Sequence, residues 1–133
     1  MLAAWNFRNG QLSHVWTFDS NSNTSYEGDG NHNLSAGDAD GDGFDEIMYG
    51  AAAIDHNGQG MWNSGLGHGD AMHFSDLVPG RAGLEVWGIH ENANIGSALL
   101  DARTGAIVWN TGAGDVGRVV AADITASSPG AEC

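Results

Sequence analysis

The apolar positions of this chain come in short runs bounded by glycine and small polar residues. Over no useful window do they recur at a helical period. "SALLDARTGAIVWNTG", residues 97–112, reads as strand, turn, strand with Trp109 packed inward. "AAAIDHNGQGMWNSG" (51–65) is a degenerate copy, and "AWNFRNGQLSHVW" (4–16) is another. The turn dipeptides are Asn9-Gly10, Asn57-Gly58 and Thr104-Gly105. Asn-Gly between apolar stretches marks a hairpin, because both turn positions tolerate a positive φ. Trp16, Trp62 and Trp109 then stand 46 and 47 residues apart.

A second element recurs between the hairpins. "HNLSAGD" (32–38), "DAMHFSD" (70–76) and "GRVVAAD" (117–123) are apolar or small segments closed by Asp. A polar loop ending in Glu follows each: Asp38 to Glu46, Asp76 to Glu85, Asp123 to Glu132. Each Glu is expected to open a strand, as in "EIMYG" and "EVWGIHE". A repeat of about 46 residues, with four short strands, one Trp and one acidic loop, has the size of a β-propeller blade. The reading is all-β: a β-propeller fragment of about two and a half to three blades. Residues 1–133 are expected to be one partial domain, truncated at the C-terminus and at the N-terminus. A small sandwich explains the strands and turns but not the period.

Composition agrees. The chain holds 21 Gly and only 2 Pro, which suits many tight turns. A net charge of −13, with four Arg and no Lys, argues against nucleic acid and anionic membranes as partners. No apolar run is long enough to span a membrane, and no signal peptide is visible. Cys133 stands alone, so no internal disulfide is possible.

"GDADGDGFDE" (37–46) packs five acids and three glycines into ten residues. Alternating Asp38, Asp40 and Asp42 can turn toward one Ca²⁺, which takes six to eight oxygens in a tolerant geometry. The Phe44 carbonyl and Glu46 complete the set, and Gly41 and Gly43 permit the tight path. The loop is not an EF-hand. That motif needs Glu at position twelve, where Tyr49 stands. It resembles instead the shorter calcium loops of propeller blades, closed at the ninth position, here Glu46.

A further constellation comprises His32, His68, Asp70 and Glu91. His32 and Asp70 hold equivalent repeat positions, which lie side by side in neighbouring blades. Mixed His and carboxylate ligation ordinarily suggests Zn²⁺ or Mn²⁺. The competing reading makes them polar residues that satisfy backbone groups in glycine-rich turns. Arg118, in "GDVGRVV", lies one residue past the position equivalent to His32 and Asp70; an ion pair with a local Asp is its simplest role. Arg8, Arg81 and Arg103 read as surface turn residues. His14, His56, His73 and His90 read as structural or exposed.

"GNHNLSAGDADGDGFDEIMYGAAAIDHNGQGMW", "GLGHGDAMHFSDLVPGRAGLEVWGIHE" and "TGAIVWNTGAGDVGRVVAADI" together resemble the rhamnogalacturonan lyases of polysaccharide lyase family 11. The resemblance implies an eight-bladed β-propeller that carries calcium. It implies β-elimination of the rhamnose–galacturonate backbone of pectin, rhamnogalacturonan I, by a secreted protein that is monomeric at full length. By the same resemblance His32, His68, Asp70 and Glu91 bind calcium near the cleft. Asp38, Asp40, Asp42, Phe44 and Glu46 bind a structural calcium, and Arg118 contacts substrate. The general base is expected outside this chain. The alternative is a non-catalytic calcium-binding propeller module. A quinone-dependent dehydrogenase is disfavoured, because the hairpin it shares is only a packing device.

Overall fold

A computed structural model of the chain describes residues 1–91, 94–114 and 116–133. Asp115, within the "GDVGRVV" stretch, lies outside the described residues. The described chain is all-β, with three antiparallel sheets and no α-helix. No helix among the described residues is long and apolar enough to cross a membrane.

The first sheet is a hairpin of β1 (Leu2–Arg8) and β2 (Gln11–Phe18). A short 3₁₀ turn at Thr24–Tyr26 leads on from it. The second sheet is a four-stranded meander of β3 (Ser35–Gly37), β4 (Glu46–Met48), β5 (Ala52–Ile54) and β6 (Gly60–Asn63). The third repeats that order with β7 (Met72–Ser75), β8 (Glu85–Ile89), β9 (Ser97–Asp101) and β10 (Ile107–Asn110). Glu46 and Glu85 open β4 and β8 as the pattern anticipates. Glu132 opens no strand among the described residues; it forms an isolated bridge with Ala122, and its Oε2 accepts from Ile124 N and Thr125 N.

The hairpin turns differ in a way the dipeptides do not disclose. At Asn9-Gly10 both residues have positive φ, 53° and 75°. At the other two turns only the glycines do, Gly58 at 85° and Gly105 at 72°. There an Asp opens a wider turn: Gly58 N donates to Asp55 O at 2.8 Å, and Gly105 N to Asp101 O at 2.8 Å.

The alternation of β8 and β9 divides the core into two faces. Val86, Ala98 and Leu100 join Met48, Ala53, Trp62 and Met72 between the two meanders. Trp87 and Leu99 face the other way, onto Leu77, Val119 and Ala121. Tryptophans fasten sheet to sheet. Trp16 Nε1 donates to His56 O at 2.8 Å, and 46 residues on the pattern recurs: Trp62 Nε1 donates to Ala102 O at 2.8 Å. Each ring lies against the turn glycine of the next hairpin, Gly58 and Gly105 respectively. Trp109 departs from the expected inward packing: it is 55% exposed. β10 is an edge strand, so no described strand covers its outer side, and the ring stacks on Trp87 at 5.6 Å.

Candidate functional site

The acidic loop joins β3 to β4 and is wound by its own carboxylates. Asp38 Oδ1 accepts from Gly41 N (2.8 Å) and Asp42 N (3.1 Å), and its Oδ2 from Gly43 N (3.1 Å). Asp40 Oδ1 accepts from Asp42 N at 3.1 Å, and Asp42 Oδ1 from Phe44 N at 2.8 Å. Ligand oxygens of Asp38, Asp40 and Asp42 lie within 4.8 Å of one another.

Glu46 tests whether a cation fits. Its side chain is 1% exposed; Oε2 accepts from Ala39 N at 2.9 Å. Oε1 is buried with no hydrogen-bond partner. A buried carboxylate oxygen left unpaired is costly, and a hard cation satisfies it. Asp42, Glu46 and His56 form a second group of donors within 4.8 Å of one another. His56 Nδ1 lies 3.7 Å from Glu46 Oε1 and 2.7 Å from Asp55 Oδ1, the latter without the alignment of a hydrogen bond. The Phe44 ring stacks on the imidazole at 4.7 Å. His56, read from sequence as merely structural or exposed, therefore borders this group. Its signal was its place directly after Asp55, on the hairpin beside β4.

The second constellation sits where the two meanders meet. Asn31 bridges in parallel to Gly69. Gly69 N donates to Gly30 O at 3.3 Å, and His32 N to Asn31 Oδ1 at 2.7 Å. A side chain at Gly69 would collide with the Ile89 carbonyl, so only glycine lets these segments run together. The result brings His32 Nε2 to 3.3 Å from Asp70 Oδ1 and 3.4 Å from His68 Nε2. The rings stand perpendicular, 4.9 Å apart. These three residues could hold a metal ion together. Glu91 is tied to them through its backbone, its N donating to His68 O at 2.8 Å, but its carboxylate stands outside the group.

Buried polar groups stand behind the cluster. Burial pushes the Asp29 carboxyl up from its ordinary value; hydrogen bonds from Gly67 N, at 2.9 Å, and Asn63 oppose that. Burial pushes the His90 imidazole down, against its contact with Gly67 O.

Among the described residues Arg118 makes no ion pair, and its neighbour Asp115 lies outside them. Its Nη1 donates to the backbone carbonyl of Asp70 at 2.8 Å. That bond sets a cation beside the His32–His68–Asp70 group. Arg81, expected at the surface, is instead partly buried between Glu85 and Asp101. A lone Arg inside an otherwise acidic-type loop was the available signal.

The rhamnogalacturonan lyase family 11 C-terminal domain matches residues 1–133. The rhamnogalacturonan endolyase YesW of Bacillus subtilis is 56% identical over 99% of this chain, and the rhamnogalacturonan exolyase YesX of the same organism is 55% identical over 98%. The chain spans only 22% of either relative's length. The crystal structure of YesW superposes with a TM-score of 0.90 at 54% identity, over 97% of this chain and 23% of that one. A Bacillus licheniformis rhamnogalacturonan lyase superposes at 0.91 with 53% identity, over the same shares.

Proposed function

Since the chain belongs to the C-terminal domain of rhamnogalacturonan lyase family 11, we propose that it forms part of the cleft of a lyase that cuts the rhamnose–galacturonate backbone of pectin by β-elimination. The two meanders and the hairpin are then blades of a larger eight-bladed β-propeller. On this reading the protein works outside the cell, as a monomer at full length, on rhamnogalacturonan I.

The chemistry suits the residues. Elimination removes the proton beside a uronate carboxylate, and negative charge builds on that carboxylate in the transition state. His32, His68 and Asp70, with Glu91, would hold calcium. The ion when bound supplies Lewis-acid stabilisation of such charge. Asp38, Asp40, Asp42, the Phe44 carbonyl and Glu46 would hold a second calcium that keeps the loop closed. Arg118 anchors one arm of its guanidinium on the Asp70 carbonyl, leaving its other N–H donors for a substrate carboxylate. The residue that accepts the C5 proton belongs to the remainder of the protein.

One observation carries this reading: the Arg118–Asp70 bond, which sets a guanidinium against a three-donor cation cluster. Arg118→Lys in the full-length protein tests it. Lys keeps the charge but cannot grip both the carbonyl and a carboxylate in a planar fork. Loss of a charged hydrogen bond worth about 1.5–3 kcal/mol predicts a fall of roughly tenfold or more in kcat/KM on rhamnogalacturonan backbone. Calcium content and Tm should stay unchanged, whereas His68→Ala should lower calcium content as well. Unimpaired turnover by Arg118→Lys would remove Arg118 from the cleft.

A further inference from the structure

The two acidic loops that open β4 and β8 share one closing device and differ in what completes it. In each, a fully buried Glu folds back on the loop's start. Glu46 Oε2 accepts from Ala39 N at 2.9 Å; Glu85 Oε2 accepts from Leu77 N at 3.0 Å and Val78 N at 3.2 Å. The other oxygen has a different fate. Glu46 Oε1 has no hydrogen-bond partner. Glu85 Oε1 lies 3.4 Å from Arg81 Nη1, and Arg81 Nη2 reaches Asp101 Oδ2 at 2.6 Å.

We propose that Arg81 is a built-in cation, closing the second loop where a bound ion closes the first, and that its removal uncovers a divalent-cation site on Glu85 and Asp101. This rests on the reading of the first loop as a calcium site.

Charge supports the substitution. Residues 38–46 hold five carboxylates and no basic residue, while residues 76–85 hold two carboxylates and one Arg. Asp38 is followed at alternate positions by Asp40 and Asp42; Asp76 is followed by Val78 and Gly80. The second loop has a guanidinium and lacks the alternating Asp of the first.

Position supports it too. Asp101 pairs across the strands with Glu85 and opens the β9–β10 turn, where its Oδ1 accepts from Thr104 N at 2.9 Å. In the second sheet Ile47 pairs with Ile54, so Asp55 stands beside Glu46 and opens the corresponding turn. Arg81 thus bridges the buried Glu and the turn Asp in one sheet. In the other no guanidinium joins the pair: the His56 imidazole stands between them, its Nδ1 2.7 Å from Asp55 Oδ1 but 3.7 Å from Glu46 Oε1, too far to hydrogen-bond the glutamate. A two-armed planar cation can tie two carboxylates that a metal would otherwise share.

The test counts calcium by mass spectrometry in the full-length protein after chelation and reloading, beside Tm with calcium and with chelator. Glu85→Gln should leave the count at the wild-type value, whereas Glu46→Gln should lower it by one ion. Arg81→Ala should bind one additional calcium, or show a larger calcium-dependent rise in Tm than wild type. Arg81→Asp, which adds a ligand, should do so more strongly, and adding Glu85→Gln to either should abolish the gain. Loss of an ion from Glu85→Gln would overturn the proposal. So would Arg81→Ala and Arg81→Asp proteins that match wild type in calcium content and calcium response. A full count in Glu46→Gln would instead overturn the calcium reading of the first loop, and the contrast drawn from it.

Discussion

Gly105→Ala should destabilise this protein more than the same change at Gly10, and the difference measures how tightly one sheet is keyed to the next. Both glycines have left-handed backbones, at φ 72° and 75°. A Cβ in that region costs about 1–2 kcal/mol wherever it stands. At Gly10 the new methyl meets nothing within 4 Å, so its cost ends there. At Gly105 it would lie 2.6 Å from Cδ2 and Cε3 of Trp62. That ring cannot simply slide away. It is 8% exposed, and Nε1 is held by the carbonyl of fully buried Ala102. Overpacking of this kind costs about 1–3 kcal/mol. If the ring moves instead, the stranded carbonyl costs a similar ~1–3 kcal/mol. Gly105→Ala should therefore cost about 2–5 kcal/mol in all, read by urea unfolding with tryptophan emission as the signal. In a Trp62→Ala background the excess over Gly10→Ala should vanish, as a double-mutant cycle requires of contacting residues. Equal losses at Gly10 and Gly105 in the wild-type background would refute the docking argument.

Chelation should lower Tm, because an ion bound only by the native state stabilises it by mass action. Asp40→Ala should blunt that response, and a chelator-insensitive wild type would show that the 38–46 loop holds no ion. Asp29→Asn should raise Tm at pH 7. A carboxyl whose folded-state value is pushed up contributes stability that is complete below its ordinary 3.8 and is lost as pH rises through the folded value. The Asn form, which can still accept from Gly67 N, should lose its advantage over wild type when both are measured near pH 3.8. An advantage unchanged by pH would point to packing rather than charge.

Much of this molecule was legible from pattern. The 46-residue period, the hairpins and the strand-opening Glu46 and Glu85 all follow from local turn chemistry and alternation, which act over a few residues. What escaped depends on contacts across the seam or on the partner of a charged group. Arg81 reads as surface until strand register sets Asp101 opposite Glu85. His56 reads as incidental until β5 carries it beside the loop. Trp109 shares its spacing with Trp16 and Trp62, yet spacing cannot say whether a receiving turn stands next to it. Repeat equivalence related His32 to Asp70, and the fold sets them 3.3 Å apart with His68 beside them. Glu91, counted with them as a potential ligand, reaches them here through its amide and not its carboxylate.

The tryptophan seam has a genealogical consequence. A ring on one sheet and a glycine turn on the next form a directional plug and socket, and the β3–β6 sheet carries both, Trp62 and Gly58. Copying such a unit in tandem supplies a matching plug for each new socket, so an array can lengthen or shorten by whole units without inventing an interface. The socket has no room for a Cβ at Gly58 or Gly105, so a copy that drifts from glycine there loses its fit to the neighbouring ring. Loop chemistry, one strand away, stays free to diverge.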